Sequence, residues 1–141
     1  MAIEGPVLAL DVGERRIGIA VSDPSGAFAF PHDTLVRTNV RDDIETIVAL
    51  ARERNARTIV VGDPIDMNGK RGIAAERMDA FVVHLARVFD GTIARIDERL
   101  TTAAVQKSLI GADVSRAKRK TVVDKLAAAM ILETYLARAR R

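Results

Sequence analysis

Three carboxylates stand at the ends of apolar segments in this chain of 141 residues. Asp11 closes the run Val7-Leu8-Ala9-Leu10 and opens the Gly-punctuated stretch LDVGERRIGIA. Asp97-Glu98 follow the strand-like segment Gly91 to Ile96, and Asp124 is expected in the first turn of a long apolar helix. Hard oxygen ligands carried by separate elements to one point can hold two divalent cations, which activate a water and stabilise the leaving oxygen of a phosphodiester. Asp11, Glu98 and Asp124 are of the type this chemistry needs, although 87 and 26 positions separate them. Each also has an ordinary structural use. Asp11 can cap its turn by accepting from backbone N–H groups. Thr121-Val122-Val123-Asp124 has the spacing of a capping box, with Asp as the acid. Asp97 or Glu98 can pair with Arg99 on the surface.

The elements that must position these acids follow from hydrophobic period. Residues 7 to 11 and 16 to 22 read as two strands joined by the turn at Gly13, with a third short strand between Phe28 and Arg37. Ile44, Ile47, Val48 and Ala51 then recur at helical spacing, predicting an amphipathic helix over about 40 to 55. Thr58-Ile59-Val60-Val61 is a β-branched run closed by Gly62 and Pro64, the pattern of a central strand. A turn at 67 to 70, a second helix through Met78, Phe81, Val82, Leu85 and Val88, a strand near 92 to 96, a short helix near 102 to 110 and a last helix from Val122 to Ala139 complete the reading. An antiparallel hairpin set followed by α-β-α-β-α is an α/β fold, a mixed β-sheet flanked by helices. Ligands of open α/β sheets collect at the carboxyl ends of the strands, where Asp11, the Gly62-Asp63-Pro64 turn and Asp97-Glu98 all fall.

Composition narrows the classes further. The length suits one domain, and 48% hydrophobic residues suffice for a core. With no cysteine there is neither a disulfide framework nor a thiolate metal site, and His32 and His84 have no ligand spacing between them. The first residues lack the basic and apolar regions of a signal peptide, and no run has the length of a membrane span, so a cytoplasmic protein is expected, with no membrane partner. The net charge of +3 is unevenly spread: Gly111 to Arg141 holds eight Lys/Arg against three Asp/Glu, the remainder fourteen against sixteen. Arg116, Lys118, Arg119 and Lys120, placed just before the Asp124 helix, could hold a polyanion beside the acids, or form a solvated loop. Arg15, Arg16 and Lys70 lie in turns directed toward the same edge, and Arg99 adjoins Glu98; among these, Arg16 and Arg99 are the stronger phosphate-binding candidates. Aromatic residues are few, which favours recognition of nucleic-acid shape and backbone over base stacking.

Four segments carry a family pattern: LALDVGERRIGIAVSD, VVGDPIDMNGKRG, IDERLTT and RKTVVDKLAAAMILETYL. Together, in this order and spacing, they resemble the YqgF/RuvX family, described as Holliday junction resolvases or pre-16S ribosomal RNA nucleases. The resemblance spans nearly the whole chain and implies an RNase H-like nuclease domain over residues 1 to 141. It further implies phosphodiester hydrolysis assisted by Mg²⁺ or Mn²⁺, with two ions expected, and processing of the 5′ end of the 16S rRNA precursor. The family's acids fall on Asp11, Glu98 and Asp124, expected as both catalytic residues and metal ligands. Arg16, Lys70, Arg99, Arg116, Lys118, Arg119 and Lys120 are the expected nucleic-acid contacts, with pre-rRNA or branched DNA as partner and a homodimer left open. Family members commonly carry an apolar residue between the Gly and Pro of the middle motif, whereas this chain has Asp63, either an extra metal ligand or an ordinary turn aspartate. Two rival classes remain: an actin-like ATPase or sugar kinase, which opens on a similar Asp-x-Gly hairpin but needs more than twice this length, and a non-catalytic nucleic-acid-binding module.

Overall fold

A computed structural model describes residues 5–65, 68–100 and 116–139. Five strands form one sheet in the order β3-β2-β1-β4-β5. They are β1 (Val7–Val12), β2 (Arg16–Ser22), β3 (Ala29–Val36), β4 (Thr58–Asp63) and β5 (Thr92–Asp97). The first three run antiparallel as a meander, and β4 and β5 join β1 in parallel. Among the described residues three helices flank the sheet, α1 (Val40–Glu53), α2 (Ile73–Val88) and α3 (Arg116–Ala139), with a 3₁₀ turn at Glu98–Leu100 after β5. The expected α/β architecture is the observed one. The short helix expected near 102 to 110 lies outside the described residues.

Alternation along each strand divides the core in two. Leu8, Leu10, Ile17, Ile19, Ile59 and Val61 face α1 and α2, packing on Ile44, Ile47, Met78, Phe81 and Leu85. Val7, Ala9, Ala20, Val60 and Ile96 face α3, packing on Ala128, Ile131, Leu132 and Leu136. The β4 run is therefore buried on both faces, which explains its unbroken apolar sequence. On the α3 face Ala9 and Ala20 are small, and with Ala127, Ala128 and Ala129 buried the last helix lies close to the sheet.

α3 begins six residues earlier than the sequence pattern suggested. No glycine or proline interrupts Arg116 to Lys120, and Lys, Arg and Ala are strong helix formers, so the helix propagates back through the basic segment. Arg116, Lys118, Arg119 and Lys120 thus sit within the first turns of α3, not in a loop before it. Thr121 to Asp124 cannot be a capping box, because Asp124 lies more than two turns inside the helix. α1, by contrast, starts on a conventional cap: the Asn39 side chain accepts from the Asp42 N–H at 2.9 Å.

Candidate active site

Asp11 occupies the fifth position of β1 and is 4% exposed. It follows Val7 and Ala9 on the α3 face of the sheet. The adjoining turn is closed by its own backbone, Gly13 N–H donating to the Arg16 carbonyl at 2.8 Å, and Asp11 belongs to the strand rather than to that turn.

Both cross-strand neighbours of Asp11 are glycines. Gly18 pairs with it on β2, and the parallel register that sets Leu10 opposite Val61 brings Gly62 alongside on β4. Each glycine makes room for an element that carries another of the acids. A Cβ on Gly18 would collide with the main-chain carbonyl of Asp124, so α3 crosses the sheet with Asp124 directly over β2. A Cβ on Gly62 would lie 2.6 Å from Ile131 Cδ1 of α3 and 4.0 Å from Glu98 Oε2. Asp11 is flanked in this way by Asp124 on one side and Glu98 on the other, all at the carboxyl end of β1. Gly18 and Gly62 were not singled out as site residues from sequence; the available signal was a glycine inside a strand pattern, which marks a close approach of another backbone.

The three acids border one position without closing on it. Among the described residues, no group of three His, Cys, Asp or Glu side chains is placed to hold a metal ion. The Asp124 carboxylate is engaged by Arg16, whose Nε donates to Oδ2 at 3.3 Å. As donors, three carboxylates from three elements, the buried Asp11 among them, suit a hard divalent cation.

The remaining expectations divide. Arg16 is beside the acids, as the sequence suggested for a phosphate contact, and its observed partner is Asp124. Arg99 turns back on Asp97, its Nη2 donating at 2.6 Å and its own N–H at 2.9 Å, which is the surface pairing weighed against an active-site role. That guanidinium holds the Asp97 carboxyl below the ordinary carboxylate range. Lys70 is exposed in the segment before α2. The side chains of Arg116, Lys118, Arg119 and Lys120 lie outside the described residues.

Asp63 requires a correction. By alternation it faces away from its neighbour Gly62, toward α2, on the opposite side of the sheet from Asp11. Its carboxylate accepts from Arg71 Nη1 at 2.6 Å and Arg95 Nη2 at 2.9 Å. Two arginines neutralise it where it stands, and an extra metal ligand on the Asp11 side is not its place.

The comparisons with known proteins agree with the resemblance. A family model described as "RuvX: Holliday junction resolvase" matches residues 5–138. This chain belongs to the RuvX family. Its relatives include proteins named "Putative pre-16S rRNA nuclease" from Halalkalibacterium halodurans, 47% identical over 133 residues, and Clostridium perfringens, 43% identical over 132 residues. The first alignment covers 93% of this chain and 95% of the relative, the second 94% and 96%. Among solved structures, Thermus thermophilus RuvC in complex with a Holliday junction substrate aligns with a TM-score of 0.57 at 14% identity, over 95% of this chain and 96% of that one. The RuvX member thus has the RNase H-like fold of RuvC. Family membership over nearly the whole length leaves the actin-like kinase reading without support.

Proposed function

We propose that this RuvX member is a single-domain, divalent-metal-dependent nuclease of structured nucleic acid, acting in the cytoplasm on the 5′ end of the 16S rRNA precursor. The observation that carries this reading is the placement of Asp11, buried between two glycines that admit Asp124 and Glu98 on either side. Those three carboxylates would hold Mg²⁺ or Mn²⁺, which supplies an activated water and neutralises charge on the leaving oxygen. The chain's own contributions are positional. β1 fixes Asp11 within the sheet, where its backbone cannot shift without breaking pairing to β2 and β4. α3, seated on Gly18, fixes the main chain of Asp124. Arg16 balances the Asp124 charge and stands at the rim of the site, where a guanidinium can take a phosphate oxygen. The relatives' names favour precursor rRNA as the substrate, and the family description makes branched DNA the alternative.

The test is a cleavage assay with Mg²⁺ and with Mn²⁺, offering a 16S precursor fragment and a four-way DNA junction to the wild type and to Asp11→Asn. Metal-dependent cut of the RNA by the wild type alone is the expected result. A preference for the junction would transfer the reading to resolvase activity. Absence of any cut, with binding retained, would leave a non-catalytic binding module.

A further inference from the structure

Two guanidinium groups and two carboxylates form a closed box at the carboxyl end of β4 and β5, on the α2 side of the sheet. Asp63 Oδ2 accepts from Arg71 Nη1 and Oδ1 from Arg95 Nη2. Opposite it, Asp79 of α2 uses one oxygen, Oδ1, to accept from Arg71 Nη2 at 2.5 Å and Arg95 Nη2 at 2.7 Å. The two acids are not equivalent. The Asp63 side chain is 10% exposed, the Asp79 side chain 48%. Asp63, being buried, needs its arginines, since a buried charge stripped of partners is costly. It therefore anchors both guanidiniums from beneath. Asp79 lies over them on the solvent side, where ion pairs contribute little to stability and exchange readily.

Two guanidiniums converging on one exposed anionic oxygen present charged donors that could equally take a phosphate oxygen. The box lies on the face of the sheet opposite Asp11, at the same strand ends as the candidate active site, and Arg99 links the two. Asp63 is in register with Asp97, which binds Arg99, and a Cβ on Gly69, two residues before Arg71, would lie 3.5 Å from Arg99 Nη1. Glu98 is the next residue in the chain. A backbone leaving the acids past Glu98 and Arg99 would reach Arg71 and Arg95 at the same end of the sheet.

We propose that Arg71 and Arg95 form a second phosphate-binding site for the substrate backbone, and that Asp79 fills it in the free protein as a built-in substitute anion. The choice of a nucleic-acid ligand rests on the nuclease reading above; the anion site itself rests on the box. Asp63 holds the pair ready, and a substrate phosphate displaces Asp79.

Binding without divalent metal tests this, using a structured RNA fragment and a four-way DNA junction over a salt series. Asp79→Ala removes the substitute anion. Asp90→Ala makes the same charge change at an exposed position before the first residue of β5, the other end of the strand from Asp97. Asp79→Ala should bind roughly three- to tenfold tighter than Asp90→Ala, with a salt slope steeper by up to about 0.9 on duplex for one added phosphate contact. Adding Arg95→Gln should erase that gain. Equal affinities for the two alanine variants, or a gain that survives Arg95→Gln, would reduce the box to a structural ion-pair network. Asp79→Asn repeats the comparison with shape preserved should the alanine variant unfold. Inorganic phosphate titrated against the arginine side-chain NMR signals separates the two readings. Perturbation of Arg71 and Arg95 in Asp79→Ala, with no nucleic acid bound by any variant, keeps the anion site and defeats the nuclease. No perturbation and no gain in nucleic-acid affinity would defeat the anion site, whatever the cleavage assay returns.

Discussion

Gly18 lies against the main chain of Asp124, in the space where any side chain would strike the Asp124 carbonyl. Because Gly18 is also the cross-strand partner of Asp11, one missing Cβ sets the distance between the sheet that carries the first acid and the helix that carries the last. Gly18→Ala should lift α3 from β2, costing about 1–3 kcal/mol of stability by overpacking. Cleavage should fall further than stability does, since Asp124 moves with the helix. Thermal unfolding and cleavage rate measured on the same preparation check this; a variant that stays fully active would show that the Asp124 position is not critical.

Asp11→Asn keeps the shape of the side chain and removes its charge. Metal-dependent cleavage should drop by at least about 10²-fold, the scale seen when one electrostatic stabiliser is lost from an active site. Binding to the same RNA should hold or tighten, because one repulsive charge is gone. A single-turnover assay paired with a binding titration separates the two effects.

Arg16 and Asp124 are both partly exposed, at 24% and 21% of their side chains, so their pair should contribute only about 0–1 kcal/mol to folding. Arg16→Gln is therefore expected to unfold at nearly the wild-type temperature while cleaving more slowly. A large loss of stability would assign Arg16 to the fold instead of the site.

The first turn of α3 contains no acid, and Arg116, Lys118, Arg119 and Lys120 place positive charge at the positive end of the helix dipole. This is unfavourable for the helix by itself. Replacing the four by Ala should leave stability unchanged or slightly higher. Nucleic-acid affinity should weaken across sequences, with the salt slope reduced by up to about 0.9 per lost contact on duplex.

Asp23 closes the loop between β2 and β3. The Ser25 hydroxyl donates to it, as do the backbone N–H groups of Phe28 at 2.7 Å and Ala27 at 2.8 Å, and its pKa is lowered from 3.8 to about 2. A carboxyl with a depressed folded-state pKa stabilises the fold above its unfolded pKa, and that contribution disappears as pH falls through the folded value. The loss should thus develop between about pH 4 and pH 2. Urea unfolding across this range should show a shallower acid decline for Asp23→Asn than for the wild type; superimposable declines would show that these hydrogen bonds do not hold the loop.

Most of the fold was legible because its cause is local. Short apolar runs bounded by turn residues mark β1, β2 and β4, and a period near 3.6 marks α1 and α2, since these apolar surfaces must leave water wherever the rest of the chain lies. The boundaries of α3 were less legible: its apolar stripe begins only near Val122, whereas a helix extends as far as its backbone can propagate, here back to Arg116. The acids Asp11, Glu98 and Asp124 could be named from their residue type and family pattern, but not their relation to one another. That relation depends on two glycines and on which face of the sheet α3 covers. Asp63 makes the same point. Alternation alone required Gly62 and Asp63 to face opposite ways, but only the packing of α3 on one side and α2 on the other determined that Gly62 would border the acids and Asp63 would meet Arg71 and Arg95. Strand and helix follow from interactions between near neighbours in the chain; the partners of a charged side chain follow from contacts between residues 8 to 108 positions apart, and those exist only once the layers have packed.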